Sequence, residues 1–222
     1  MPDATPSLGT SAGGINPSPA TNASVSTARA PGHAIPVGAR IPRTHGPVAR
    51  AIGALWLRVG GWRIAGALPD LPQAIIIVAP HTSNWDFTLG LAIKFLLQLR
   101  ARWLGKDAIF RSPLGGFFRS IGGIPVDRST SNNVVQASVD AFAQSPQMLL
   151  VLSPEGTRTA RMQWRSGFYH IARGAHVPVI PVAFDWAAKR VTFLPPQWLG
   201  EDQQGEIARL TAMFAGVRGK RA

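Results

Sequence analysis

The residues best suited to acid–base chemistry are a histidine and an aspartate five positions apart, His81 and Asp86, in the stretch PHTSNWDF (80–87). An imidazole removes a proton from a hydroxyl group efficiently when a carboxylate accepts its other N–H and holds the ring in place. The spacing therefore predicts His81 as a general base and Asp86 as its partner. A purely structural interpretation is also open, in which Asp86 caps a helix and His81 lies on the surface.

A first candidate for anion binding is Arg128, which follows the run GGIPVD (122–127). A guanidinium group binds phosphate through two parallel hydrogen bonds, so Arg128 is suited to a phosphate oxyanion. The alternative is a turn in which Asp127 and Arg128 make only local ion pairs.

A second candidate is the stretch PEGTR (154–158), which follows an apolar run. Gly156 permits close approach of the backbone to a ligand, Thr157 offers a hydroxyl group and Arg158 a guanidinium. Glu155 is suited to holding an arginine or an acceptor hydroxyl in place. An ordinary Pro-Gly turn is the alternative.

These stretches are expected to follow strands. The apolar runs that precede them are AIIIVA (74–79), IPV (124–126) and MLLVL (148–152). Segments with helical periodicity separate these runs, so strands alternate with helices. This order predicts an α/β fold, a single αβα-type domain whose mostly parallel, mixed sheet is flanked by helices. Ligands bind at the carboxyl ends of the strands in such sheets.

A fourth stretch, VPVIPV (177–182), is β-branched but contains two prolines. Each proline removes a backbone donor from the ladder, which favours an edge strand or an apolar wall. Core packing is the favoured role for its side chains, ahead of direct contact with an acyl chain.

The first 46 residues differ in composition from the rest, because they are mostly Ala, Pro, Ser, Thr and Gly and contain no aromatic residue. This predicts a disordered tail at 1–46 and a folded domain at 47–222. The segment 48–68 mixes apolar residues with Trp56, Trp62 and three arginines. It fits a stretch at a bilayer interface or, equally well, a first helix packed on the core. No apolar run reaches the roughly 20 residues of a spanning helix, so none is predicted.

The chain is strongly basic, with 23 Lys and Arg against 11 Asp and Glu and a formal net charge of +12. Such a charge favours nucleic acid, an anionic membrane or phosphate-bearing substrates as partners. Because the sequence contains no recognised nucleic-acid-binding motif, no nucleic acid partner is expected. The absence of cysteine excludes disulfide scaffolds, thiolate metal sites and cysteine nucleophiles. The His, Asp and Glu residues form no recognised metal-ligand motif, so no metal is expected.

The order and spacing of the four motifs resemble the glycerolipid acyltransferase family, which includes 1-acylglycerol-3-phosphate acyltransferase. The resemblance covers about residues 62 to 184. By position, His81 resembles the family's catalytic base and Asp86 its partner. The residues that resemble the family's acceptor-phosphate site are Arg128, Glu155, Gly156, Thr157 and Arg158. One departure is Pro80, where the family often has asparagine, and HTSNWDF resembles a shorter bacterial branch.

The resemblance implies an O-acyltransferase of phospholipid biosynthesis. The acyl donor would be acyl-CoA or acyl carrier protein, and the acceptor a lysophospholipid, first of all 1-acyl-sn-glycerol-3-phosphate. No bound cofactor is implied, and a peripheral position at the cytoplasmic face of an anionic membrane is expected. The alternatives are another lysolipid acceptor, a lipid or thioester hydrolase, and a non-enzymatic basic protein that binds membranes or nucleic acid.

Overall fold

The isoleucine-rich run forms the centre of a sheet, because its side chains are apolar on both faces. It is strand β2 (Gln73–Ala79), in which Ala74, Ile75 and Ile77 are fully buried. The computed structural model describes residues 35–44, 46–126, 131–155 and 164–221, which all lie in one compact unit, Pro31–Ala222. The other strands among these residues are β1 (Arg63–Gly66), β3 (Ala101–Lys106), β4 (Gly123–Val126), β5 (Met148–Leu152), β6 (Val179–Asp185) and β7 (Arg190–Phe193).

The strand order brings three strand ends together. The sheet runs β1-β7-β6-β2-β5-β3-β4, so β2 lies between β5 and β6 and pairs in parallel with both. Among the described strands only β6 and β7 pair antiparallel. The prediction of a mostly parallel, mixed sheet is therefore confirmed. Because parallel strands point the same way, the carboxyl ends of β2, β5 and β6 lie side by side at one edge.

The edge-strand interpretation of the proline-containing stretch is wrong. β6 is an interior strand between β2 and β7, and all its residues except Asp185 are buried. The two prolines fit because each costs only a donor: the Pro178 carbonyl accepts from Ile75 N and the Pro181 carbonyl from Leu194 N. Pro178 also lies just before the strand begins. The side chains of this stretch pack in the core, as expected.

Helices cover both faces of the sheet. They are α1 (Pro47–Val59), α2 (Asn84–Leu96), α3 (Asp107–Phe110), α4 (Gly115–Ser120), α5 (Ser131–Ala143), α6 (Gly167–Ala175) and α7 (Gln203–Ala212). Successive residues of a strand point to opposite faces. Accordingly, Ile76 packs in one apolar cluster with residues of α1 and α2. Ile75 and Ile77 pack in a second cluster with residues of α5, α6 and α7.

The folded unit begins before residue 47, which corrects the predicted boundary. Ile41 is only 2% exposed, and Val37 forms a bridge with Leu68. Arg40 makes a salt bridge of 3.1 Å with Asp70. Composition averaged over 46 residues hides the few apolar side chains that dock here. Residues 1–34 lie outside the described part of the chain, so the disorder predicted for them stays a prediction.

The segment 48–68 divides into two elements rather than forming one. Helix α1 ends at Val59, and Gly61 has a φ of +69°, a left-handed conformation that glycine adopts without strain. Trp62 follows and is 2% exposed, so it belongs to the core. Strand β1 then begins at Arg63.

Candidate active site

The turn between β2 and α2 is held by a reciprocal helix cap. Asp86, 2% exposed, accepts the backbone N–H groups of Thr82 at 2.8 Å and Ser83 at 2.7 Å, both at Oδ2. The Ser83 hydroxyl accepts the N–H of Trp85 at 3.2 Å and completes a capping box at the start of α2. The helix-cap interpretation of Asp86 is therefore correct.

Asp86 also contacts the predicted base. His81 Nδ1 lies 3.4 Å from Asp86 Oδ2, and a quarter of the histidine side chain is exposed whereas that of Asp86 is fully buried. The two interpretations of Asp86 are thus compatible, because one carboxylate caps the helix and faces the imidazole. Nε2 lies on the side of the ring opposite Nδ1. This geometry suits a general base, and the catalytic role of the pair stays a prediction.

The second oxygen of Asp86 is held from the neighbouring strand. Trp186, the first residue after β6, donates its indole N–H to Asp86 Oδ1 at 2.6 Å. Its ring meets that of Trp62 edge to face, with centroids 4.8 Å apart. Sequence reasoning did not single out Trp186. The rule that ligand sites follow strand ends would have indicated it, had it been applied to β6 as well.

Glu155 holds the turn from the other neighbouring strand. It lies three residues after β5, is 4% exposed, and both its carboxylate oxygens accept the His81 backbone N–H, at 3.1 and 3.2 Å. Burial raises the pKa of Glu155 above 4.5; the His81 N–H bond opposes this shift, and the negative charge of Asp86 adds to it. Glu155 therefore contacts the backbone of His81, the predicted base.

The three strands β6, β2 and β5 therefore converge on one turn, residues 80–86, called here the His81 turn. Two buried carboxylates accept the consecutive backbone N–H groups of His81, Thr82 and Ser83. A turn with its donors paired in this way has little freedom to change shape, which suits a group that must be held in a fixed position.

A protein-family model named Acyltransferase matches residues 67–185, more than half of the chain. The matched stretch contains the His81 turn and all three strands that meet there. The chain belongs to the Acyltransferase family. The resemblance inferred from the four motifs is thereby confirmed.

Two relatives of this acyltransferase-family chain carry the same name. It is 27% identical over 150 residues to the 1-acyl-sn-glycerol-3-phosphate acyltransferase of Haemophilus influenzae, covering 64% of this chain and 61% of that protein. The enzyme of the same name from Salmonella typhimurium is 26% identical over 155 residues, 60% of this chain and 62% of the relative. The chain thus spans about three fifths of the length of these relatives.

A solved structure shares the fold of the acyltransferase-family chain. It is the crystal structure of the 1-acyl-sn-glycerophosphate (LPA) acyltransferase PlsC from Thermotoga maritima, with a TM-score of 0.58 and 14% identity over 78% of this chain and 79% of that one. At this identity the likeness concerns the architecture, a mixed sheet flanked by helices.

Of the predicted site residues of this acyltransferase-family chain, the structure brings together His81, Asp86 and Glu155. The predicted phosphate-binding residues Arg128, Gly156, Thr157 and Arg158 lie outside the described residues. In the parts of the chain that the structure describes, no group of His, Asp and Glu residues is arranged to hold a metal ion.

Proposed function

We propose that the chain transfers an acyl group from a thioester, acyl-CoA or acyl carrier protein, to the hydroxyl group of a lysophospholipid. The observation that carries this proposal is the 3.4 Å contact between His81 Nδ1 and the buried Asp86 carboxylate. The relatives named 1-acyl-sn-glycerol-3-phosphate acyltransferase support 1-acyl-sn-glycerol-3-phosphate as the acceptor.

The proposed mechanism is direct transfer. His81 Nε2 removes the proton of the acceptor hydroxyl as its oxygen attacks the thioester carbonyl. Asp86 stabilises the imidazolium that forms. When the tetrahedral intermediate collapses, the C–S bond breaks and the departing thiolate takes the proton from His81. General base catalysis contributes typically 10²–10⁴-fold, so alignment of the two substrates must supply much of the remaining rate.

The oxyanion that develops on the carbonyl needs donors from outside the backbone of the His81 turn. The N–H groups of His81, Thr82 and Ser83 already donate to Glu155 and Asp86. Breaking one of these bonds would leave a buried carboxylate short of a donor. The oxyanion therefore has to take its hydrogen bonds from other groups.

The acceptor phosphate is assigned to Arg128 and to the stretch Gly156, Thr157 and Arg158. Glu155 immediately precedes this stretch and its carboxylate lies 3.1 Å from the His81 nitrogen. The chain therefore enters the stretch directly beside the proposed base.

Membrane contact is assigned to the exposed face of α1. The side chains of Val48, Ile52, Leu55 and Val59 are 71%, 56%, 62% and 80% exposed. Their spacing of four, three and four positions puts them on one helical face, called here the α1 stripe. Gly53 and Leu57 are buried on the opposite side, where α1 packs against α2.

One exposed arginine of α1, Arg58, lies next to Val59 at the end of the α1 stripe. An apolar stripe with a cation at its end suits the surface of an anionic bilayer, where the lysolipid acceptor resides. None of the described helices is long and apolar enough to cross a bilayer. The exposed α1 stripe is what supports our proposal of peripheral binding, which we assign to the cytoplasmic face of the membrane.

The test is product analysis with purified protein, palmitoyl-CoA and lysophosphatidate, following free thiol and lipid mass together. Thiol release that requires the acceptor, with a diacyl phospholipid as product, is the expected result. Free fatty acid released at the same rate without acceptor would replace acyl transfer by thioester hydrolysis. Substitution of other lysolipids and of acyl carrier protein in the same assay identifies the acceptor and the donor.

A further inference from the structure

A basic segment beyond α7 lies against the His81 turn. It comprises Arg218, Gly219, Lys220 and Arg221 and is called here the basic segment. The Arg218 carbonyl accepts the backbone N–H of Trp186 at 2.9 Å. The Arg221 N–H donates to the Thr82 hydroxyl at 3.1 Å. Since Thr82 follows His81 directly and Trp186 donates to Asp86, both ends of the segment are bonded to parts of the candidate site.

Gly219 lets the backbone come this close. A Cβ atom at this position would lie 2.6 Å from the Thr82 hydroxyl oxygen and 2.7 Å from its methyl carbon, closer than non-bonded atoms approach. Thr82 is buried and its N–H is bonded to Asp86, so it has little room to move aside. A side chain at residue 219 would therefore push the basic segment off the turn.

Lys220 is held between two aromatic rings of the site. Its Nζ lies 4.2 Å from the ring centroid of Trp85 and 4.8 Å from that of Trp186. Trp85 lies in the first turn of α2 and is 51% exposed. Cation–π attraction at two rings fixes an ammonium group that would otherwise move freely. The charge is thereby positioned at the ring of Trp186, whose indole N–H donates to Asp86.

The basic segment carries three exposed cations, Arg218, Lys220 and Arg221. Among the described residues, no carboxylate lies within ion-pair distance of Arg218, Lys220 or Arg221. Asp86, in the adjoining turn, has a fully buried side chain and already accepts hydrogen bonds from Thr82, Ser83 and Trp186. Three charges at the border of a site, none of them paired with a carboxylate of the described residues, attract an anion there.

We infer that Lys220, together with Arg218 and Arg221, binds a phosphate group of a substrate while the reacting end of that substrate lies at His81. The inference rests on the proposed function and adds a second anion site to the one assigned to Arg128 and Arg158. Phosphate is the shared chemistry of the two substrates, since it occurs both in coenzyme A and in the lysophospholipid head group. Lys220 supplies a fixed point charge, and the two arginines supply guanidinium donors.

The test is steady-state kinetics of Lys220→Met, which keeps an unbranched apolar chain over the two rings and removes the charge. Soluble short-chain substrates without vesicles keep membrane binding out of the measurement. The donors are octanoyl-CoA and octanoyl-pantetheine, and the acceptors are a short-chain lysophosphatidate and the matching monoacylglycerol. We expect KM for one phosphorylated substrate to rise about tenfold, with kcat changed less than about twofold. The rise should vanish with the phosphate-free form of that same substrate, which identifies the source of the phosphate.

Two variants serve as controls. Lys220→Arg keeps the charge and the cation–π contact with the two rings, and should retain KM within about twofold. Arg100→Met removes an exposed arginine immediately before β3, at the opposite edge of the parallel sheet, and should change neither constant. Thermal unfolding of each variant shows whether the fold is kept.

A binding measurement separates this inference from the proposed function. Calorimetric titration of coenzyme A and of lysophosphatidate into His81→Ala, with and without Lys220→Met, needs no turnover, and we expect one of the two ligands to bind about tenfold more weakly to the double variant. Unchanged binding and unchanged KM would overturn the inference. An equal rise in KM for the phosphate-free substrates would also overturn it. So would an effect of Lys220→Met that is seen only when the substrates are presented in vesicles, because the basic segment would then be a membrane contact. Absence of acyl transfer by the wild type, with Lys220-dependent binding intact, would instead count against the proposed function.

Discussion

The His81 turn and the α1 stripe are built in opposite ways. In the turn, polar groups are buried and paired: the Asp86 side chain is fully buried and accepts from two backbone nitrogens and one indole. In the stripe, apolar groups are exposed, up to 80% at Val59. The first arrangement fixes a few atoms relative to one another, and the second leaves a surface without a partner. Chemistry at one and attachment at the other should therefore be separable by mutation.

The largest separation is expected from Asp86→Asn. In the wild type, both oxygens of Asp86 accept N–H groups, whereas the asparagine amide turns its own NH₂ group toward one set of these donors. The neutral amide also no longer stabilises the imidazolium. We expect kcat to fall about 10²–10⁴-fold with binding to anionic vesicles unchanged. Asp185→Asn is the matched control, since Asp185 ends β6. Among the bonds found in the described residues, its carboxylate accepts only the Ala188 N–H. An equal loss of kcat in Asp185→Asn would remove the special role of Asp86.

The converse separation is expected from the double variant Ile52→Ser with Leu55→Ser. Each substitution removes an apolar side chain worth roughly 1.5 kcal/mol or more on burial, so partitioning onto anionic vesicles should weaken about a hundredfold. The kcat on soluble short-chain substrates should stay within about twofold. Trp198→Ser removes an apolar side chain that is 63% exposed outside α1. If that control weakens vesicle binding as much as the double variant, the α1 stripe is not the membrane contact.

A smaller effect is expected where the turn is supported by β6. Trp186→Phe deletes the 2.6 Å hydrogen bond to Asp86 Oδ1 and keeps an aromatic ring beside Trp62. Loss of one hydrogen bond to a charged group predicts a roughly tenfold fall in kcat, with KM for the acceptor changed less than the rate. Trp62→Phe alters the same ring pair without touching Asp86. An unchanged kcat in Trp186→Phe would show that the indole N–H does not position the carboxylate.

The smallest effect concerns the pH dependence of stability. Burial raises the pKa of Glu155 above 4.5. The folded chain therefore holds the proton of the Glu155 carboxyl group more tightly than the unfolded chain does. Its contribution to stability is complete below pH 4.5 and is lost as the pH rises through the raised value. Glu155→Gln keeps an acceptor for the His81 N–H and removes the titration. Its Tm, relative to wild type, should therefore rise with pH above 4.5.

Glu201→Gln is the control for that experiment, since the Glu201 side chain is 93% exposed. Its Tm curve shows how much of the effect comes from replacing a glutamate by glutamine at an exposed position. If Glu155→Gln and the wild type instead show parallel Tm curves across this range, Glu155 does not titrate differently in the folded state.

The difference between local and distant contacts explains how much of the site the sequence could predict. His81 and Asp86 are separated by one strand-to-helix turn, whose geometry brings residues five apart together, so their spacing was informative. The bond between Trp186 and Asp86 joins residues 100 positions apart and depends on β6 lying beside β2. The spacing of residues within either stretch does not indicate which strands lie side by side in the sheet.

The same limit applies to the fold. The runs at 74–79 and 148–152 were predicted as strands because they are long enough and apolar enough to be recognised alone, and β5 (Met148–Leu152) has the predicted bounds. β1 and β7 have four residues each, too few for a clear pattern. Because β7 lies beside β6, the proline-containing strand is an interior strand rather than the expected edge strand.

The central claim is that His81 is the base of an acyl transfer, and it is tested most directly by diacyl lipid formation in His81→Ala. The account predicts that acceptor-dependent product formation falls about 10²–10⁴-fold, while thermal stability and vesicle binding remain those of the wild type. Formation of diacyl lipid at the wild-type rate by this variant would contradict the account.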